Sequence, residues 1–453
     1  MDLLRNTRYL DLKAPKIIND NEINRFISSL SFKLTEDQLN TIESIKNDLK
    51  ANYTMNRLVQ GDVGCGKSIV SIISALMAVN SGYQAAIMVP TEILANQQYK
   101  LASELLNDFN CNVALLTSST KKSDKEDILY KLNNNKISIL IGTHSLLEDK
   151  VIFNKLGLVI IDEQHRFGVK QRAKLIEKFP HVDALYLTAT PIPRSLGLTM
   201  FGDLDISSIK TMPAGRKSVI TKIIHKNNIS GLLKSIENHI AQREQAYVVV
   251  PLVNENELID RVDIQEAHDL IKDNVKNAKI GIVYGKMTPK EKNAVMDEFY
   301  KGHINVLIST TVIEVGVNVK NATIMTIFNA ECFGLAQLHQ LRGRVGRSDL
   351  QAFCALVCSD TNNPRLKALE STTDGFEIAE ADFRLRGPGD YLGNAQSGYA
   401  PLEYADFDAD LRIWECAKND AGIYIKKFLK KEIQNPIFDG IVIENKTQKR
   451  KIN

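Results

Sequence analysis

The stretch RLVQGDVGCGKS, residues 57–68, constrains this chain more than any other. Gly61, four intervening residues and then Gly66-Lys67-Ser68 follow a short apolar run and precede the helical pattern SIVSIISALMAV. That is the spacing of a phosphate-binding loop, in the strand–loop–helix setting such a loop needs. Glycines at 61, 64 and 66 let consecutive backbone N–H groups turn inward. The helix N-terminus adds partial positive charge, and Lys67 is placed to reach β- and γ-phosphates. Ser68 is the expected Mg²⁺ ligand, while Cys65 reads as a small filler.

The flanking pattern is the one a phosphate loop is built on. Between residues 57 and 190 the apolar runs RLVQ, AAIMVP, VALLT, ISILIGT, LVIIDE and ALYLTAT alternate with helical patterns. Continuous apolar strands separated by helices predict a parallel sheet covered on both faces. The pattern breaks at TMPAGRKS (211–218) and resumes with AYVVVPLV, KIGIVYG, NVLISTT, TIMTIFN and AFCALVCS. Two α/β units joined by a proline-glycine linker follow, the second echoing the first in element order. Cys354 and Cys358 are expected inside a buried strand. Strand signals stop near residue 366, and 403–434 reads as helix.

Asp162 and Glu163 leave the apolar run LVII, where a phosphate-loop fold puts its magnesium carboxylate and the residue that polarises the attacking water. The loop and these carboxylates leave kinases, GTPases, transporters and helicases open. QLRGRVGR (340–347) narrows the choice, because Arg342, Arg344 and Arg347 are interleaved with Gly343 and Gly346 in the second unit. Guanidiniums so spaced can present a planar fork to a γ-phosphate bound on the other unit.

With 453 residues the chain is too long for one ordinary core. Its 57 basic and 54 acidic side chains, net +3, give no broad electrostatic signature for nucleic acid, so any basic surface must be local. The six cysteines are scattered without zinc-ligand spacing, as for reduced thiols. No run approaches the ~18 apolar residues of a membrane span, and MDLLRNTRYLDLK lacks the apolar core of a signal peptide. A cytoplasmic location is expected.

Taken with its motifs, the chain resembles superfamily 2 helicases, and within them the RecG branch-migration helicases, from about Phe32 to Gly398. FKLTEDQ, with Gln38, resembles the element that contacts adenine. VPTEILANQQ, with Thr91 and Glu92, and IGTHSLLED, with Thr143 and His144, resemble strand-gripping motifs. DEQHRFGVKQR, with His165, is the family's form of the carboxylate motif, and TATPIPRSL, with Thr188 and Thr190, its coupling motif. STTVIEVGV, with Thr310, Thr311, Glu314 and Gly316, resembles the motif that touches nucleotide and DNA; Gln340 heads the arginine motif. FRLRGPGDYLGNAQSG, with Arg384, Arg386 and Gln396, resembles the family's hairpin and loop that couple motor movement to DNA translocation.

The resemblance implies a fold of two RecA-like domains with parallel sheets, followed by a mainly helical region. The divisions expected are a lead segment (1–30), an ATP-binding domain (31–213), a second helicase domain (214–365) and a C-terminal translocation region (366–453). It implies ATP and Mg²⁺ as cofactors and branched or duplex DNA as partner, with a monomer expected. Three departures stand out: Asn318 where the family usually has aspartate, Ser118-Ser119 in a usually glycine-containing turn, and Cys332 for a usual arginine. The sequence begins only about thirty residues before FKLTEDQ, where the family carries an OB-type wedge, so that region is expected to be missing, or supplied by a separate polypeptide. Three functions stay open: a remodeller of branched DNA, a DNA-stimulated translocase without unwinding, and a non-catalytic remnant.

Overall fold

The computed structural model describes residues 13, 16–163, 178, 182–191, 204–213, 217–251, 262–310 and 319–386, with scattered positions from 413 to 432. Among these residues seven strands form the first sheet: β1 (Asn56–Gly61), β2 (Gln84–Met88), β3 (Val113–Leu116), β4 (Ile139–Gly142), β5 (Leu156–Ile161), β6 (Asp183–Thr188) and β7 (Asp205–Ile209). Six form the second: β8 (Ile220–His225), β9 (Gln245–Val249), β10 (Ile280–Val283), β11 (Val306–Ser309), β12 (Ala322–Ile327) and β13 (Phe353–Cys358). The spatial orders are β3-β4-β2-β5-β6-β1-β7 and β10-β11-β9-β12-β13-β8. Strand for strand the second order repeats the first without its final member, and every pairing among the described residues is parallel.

The apolar runs are continuous because both faces of each sheet are covered. In the first sheet Val59, Ile87, Leu158, Ile160 and Leu185 enter one core, while their strand neighbours Leu58, Ala86, Val159, Ile161 and Tyr186 enter another on the opposite face. The second sheet divides in the same way, Tyr247, Val249, Leu307 and Met325 against Ala246, Val248, Val306, Ile308 and Ile324. Cys354 and Cys358 lie buried in β13, as expected.

Two strands had no apolar run to announce them. β7 (DISSI) and β8 (ITKIIH) are edge strands with mixed exposure, and each pairs along one side only. An edge strand buries too few side chains to need a continuous hydrophobic run. The linker between the lobes starts from a fixed point: Asp37 Oδ2 accepts from Lys210 N at 2.9 Å and from Thr211 N at 2.7 Å.

At the other end of the first lobe the helix Asp20–Ser29 packs its fully buried Phe26 edge-on against Phe109, with centroids 5.1 Å apart. Beyond β13, the helices Pro364–Ser371 and Gly375–Arg386 follow, with no further strand among the described residues. The helical reading of 403–434 lies mostly outside the described residues. Among the described residues no helix is long and apolar enough to cross a membrane.

Candidate nucleotide site between the two lobes

The loop after β1 is shaped by its glycines. Gly64 and Gly66 have φ of 84° and 87°, in the left-handed region open to glycine. A Cβ on Gly66 would stand 2.2 Å from Gln38 Nε2, which donates to the Cys65 carbonyl at 2.8 Å. Gln38 is itself fixed by a reciprocal cap with Thr35 at the start of the helix Glu36–Lys50. Gln38 is thus packed on the phosphate loop, buried at 2% exposure. A Cβ on Gly61 would meet Cys65 Sγ at 2.5 Å.

Lys67 opens the helix Lys67–Asn80, and its ammonium donates to the carbonyls of Gly61 at 2.7 Å and Asp62 at 2.8 Å. Beside it, Ser68 Oγ accepts from Gln98 Nε2 at 2.9 Å. Gln98 lies in VPTEILANQQ but carried no separate expectation, because nothing in its spacing shows that it folds back onto Ser68.

At the end of β5, Asp162 keeps some surface open to the cleft yet lies deep between the lobes. Burial, then the neighbouring Glu163 charge, pushes its carboxyl up to about 7 against the opposing pull of Lys67. Glu163 sits at φ 53°, and its Oε2 accepts from Ala189 N at 3.4 Å. That contact joins the carboxylate motif to TAT, where the Thr188 and Thr190 hydroxyls are 2.9 Å apart.

A cavity of about 870 Å³ unites these groups with the second lobe. Lys67, Ser68, Asp162 and Glu163 line one wall; Arg344 and Arg347 line the other, with Gln340. Arg347 Nε also donates to the Gly343 carbonyl at 3.1 Å. Arg342 serves elsewhere: it donates to the carbonyls of Leu369 and Thr372, both at 2.8 Å, and of Thr373 at 3.2 Å. It ties the arginine motif to the helical region beyond β13. A hydroxyl and a carboxylate on one wall are hard oxygen donors of the kind that hold Mg²⁺ with phosphate and water. A divalent cation there would also relieve the Asp162–Glu163 repulsion.

Of the strand-gripping candidates, Thr91 caps the helix Glu92–Leu105 by accepting from Leu94 N at 3.5 Å. Glu92 Oε1 accepts from Ser118 Oγ at 2.5 Å and from Ser119 N at 3.0 Å. Burial pushes the Glu92 carboxyl up, but these hydrogen bonds outweigh it and hold it below the usual glutamate range. The Ser118-Ser119 departure therefore joins two of the candidate segments. Thr143 is buried at the head of the turn His144–Leu147, with His144 exposed. Arg384 is exposed on the helix Gly375–Arg386, of which Arg386 is the last residue. His165, Thr311, Gly316, Asn318 and Gln396 lie outside the described residues.

Three family profiles match along the chain: DEAD/DEAH box helicase over residues 35–198, helicase conserved C-terminal domain over 227–349, and ATP-dependent DNA helicase RecG, domain 3, C-terminal, over 372–439. The chain belongs to the RecG family. It is 46% identical over 407 residues to the RecG helicase of Bacillus subtilis, covering 89% of this chain and 60% of that one. It is also 46% identical over 438 residues to the RecG helicase of Aquifex aeolicus, covering 94% of this chain and 55% of that one. A solved RecG bound to a three-way DNA junction superimposes with a TM-score of 0.76 and 41% identity, over 91% of this chain and 55% of the other. The RNA-bound yeast protein Dbp5, at 16% identity and TM-score 0.57, shares the fold alone. The chain thus spans a little over half the length of these RecG relatives. Its two parallel α/β lobes are the RecA-like pair of the RecG helicase core.

Proposed function

We propose that the chain is an ATP-driven DNA motor of RecG type, acting on branched DNA such as forks and junctions. The observation that carries this is the cavity in which Lys67, Asp162 and Glu163 of the first lobe face Arg344 and Arg347 of the second. In this reading the N–H groups of Gly61, Gly64 and Gly66 hold the phosphates and Gln38 recognises adenine. Gly316 and Asn318 complete the nucleotide contacts from the second lobe. Lys67 neutralises the γ-phosphate, and Glu163 orients the attacking water. Ser68 and Asp162 would hold Mg²⁺, which neutralises charge on the transferring phosphoryl group when bound. Arg344 and Arg347 stabilise the charge that spreads over that group.

Hydrolysis lets the arginine-bearing lobe part from the phosphate loop, and repeated closure moves the lobes along DNA. Phosphates and sugars supply most grip, through Thr91, Thr143, His144, His165 and Thr311, while the carboxylate of Glu92, which would repel a phosphate, positions the Ser118-Ser119 turn beside them. Thr188, Thr190 and Gln340 link turnover to DNA, and Arg384, Arg386 and Gln396 transmit motion to the duplex. A DNA motor of this kind works in the cytoplasm, here as a monomer, with a separate wedge-bearing polypeptide as a candidate partner for strand separation.

The test is ATP hydrolysis by the purified chain with no DNA, single strands, linear duplex and a four-way junction. Junction-selective stimulation with strand unwinding is expected. Equal stimulation by every DNA would indicate a translocase without unwinding, and no turnover would remove the motor assignment.

A further inference from the structure

The phosphate loop touches more than its own lobe. Asp62, 6% exposed, places Oδ1 2.7 Å from Nε2 of His339, on the helix Leu335–Arg342 of the second lobe. Its Oδ2 accepts from Gly375 N at 3.2 Å, at the first residue of the helix Gly375–Arg386. Val63 N also donates to Oδ1 at 2.5 Å, which fixes the carboxylate to the loop backbone. One buried carboxylate thus joins the loop, the arginine-motif helix and the start of the C-terminal helix.

The approach is too close for any other residue. A Cβ on Gly375 would lie 2.6 Å from His339 Cε1 and 3.0 Å from Asp62 Cγ. Next to it, a Cβ on Gly343 would lie 2.7 Å from Val63 Cβ. The neighbouring Phe376 ring carries the Lys210 ammonium 5.4 Å from its centroid, and Lys210 N is bound to Asp37 at the start of the linker. The start of this helix is therefore fastened both to the loop and to the hinge between the lobes.

We propose that Asp62 is a positioning residue that passes changes in the phosphate loop directly to the helix Gly375–Arg386, through His339 and the Gly375 amide. The peptide that carries this carboxylate also holds Lys67, whose ammonium rests on the Asp62 carbonyl at 2.8 Å. A polyphosphate that draws the ammonium toward itself reorients that peptide. The carboxylate on the same residue then shifts against both its partners. This link rests on the nucleotide reading of the loop, but it is separate from the Arg342 contacts with residues 369–373.

The test follows backbone hydrogen exchange in residues 375–386 of the full chain, with and without Mg²⁺ and a non-hydrolysable ATP analogue. Binding of the same analogue is measured separately by calorimetry. Loss or gain of one charge-assisted hydrogen bond at the helix start is expected to change exchange there about tenfold on nucleotide binding. In Asp62→Asn and His339→Ala the change should shrink to about twofold or less. His339→Gln, which keeps a donor for Oδ1, should retain most of it. Gly375→Ala tests the same link from outside the loop, and should also lose the response while still binding the analogue. A full response in Gly375→Ala or Asp62→Asn, with the analogue bound, overturns the proposal. If the unsubstituted chain fails to bind the analogue at all, the nucleotide reading falls, and the link with it.

Discussion

Gln98 Nε2 donates a hydrogen bond of 2.9 Å to Ser68 Oγ, joining the helix Glu92–Leu105 to the first turn of the helix Lys67–Asn80. The bond occupies one lone pair of the hydroxyl oxygen and so orients the group proposed to ligand Mg²⁺. Gln98→Ala removes a net contribution of ~1 kcal/mol to that orientation, and should raise the Mg²⁺ concentration for half-maximal ATP hydrolysis ~3–10-fold. A magnesium titration at fixed ATP checks it; an unchanged midpoint would detach Gln98 from the metal.

The cations on the two walls of the cleft should separate binding from turnover. Arg347→Ala is expected to slow hydrolysis by ~10³-fold or more with little change in nucleotide affinity, as for other arginines that act on the transition state. Lys67→Ala should abolish turnover. Equal losses of affinity and rate in the Arg347 variant would make that residue a binding group.

The Asp162 carboxyl, pushed up to about 7 by burial first and by Glu163 second, predicts opposite pH trends for metal binding and stability. Its ordinary value in an unfolded chain is ~3.9, so between there and about 7 the native state holds a proton the unfolded chain has released. This group therefore favours the fold most at low pH, and that contribution falls as pH rises through the window. Mg²⁺ needs the ionised form, so Mg²⁺-dependent nucleotide affinity should climb by up to ~10-fold per pH unit and flatten above about pH 7. Asp162→Asn should remove the slope, as fluorescent-nucleotide titrations across the range would reveal.

Stability has its own test at the base of the first sheet. Asp183, with a fully buried side chain, accepts from Lys13 at 2.6 Å, from Lys16 and from Met55 N at 2.7 Å. Asp183→Ala leaves two buried ammonium groups and a backbone donor without that acceptor, and should cost ~3–5 kcal/mol. Urea unfolding monitored by circular dichroism measures it, and a loss below ~1 kcal/mol would mean that water replaces the carboxylate.

By itself the sequence determined the parts whose physics is local. Eleven strands show as apolar runs because each buries side chains on both faces, and the phosphate loop shows as glycines at fixed spacing beside Lys67 and Ser68. Asp162 and Glu163 showed at the end of an apolar run and Arg344 and Arg347 in the spacing of QLRGRVGR, and all four line the cleft; the family resemblance added Gln38, which packs on the phosphate loop. Only the tertiary structure decided what depends on distant residues meeting. β7 and β8 are edge strands, held by a neighbour that their mixed composition does not specify. Arg342 and Arg344 are two residues apart, yet one binds carbonyls of residues 369–373 and the other lines the cleft. Asp62 and Gly375 are 313 positions apart, and their contact exists only because packing the second lobe and its following helix against the first removes water from both. Periodicity reports which side chains must leave water; it carries no record of which of them come to share a hydrogen bond.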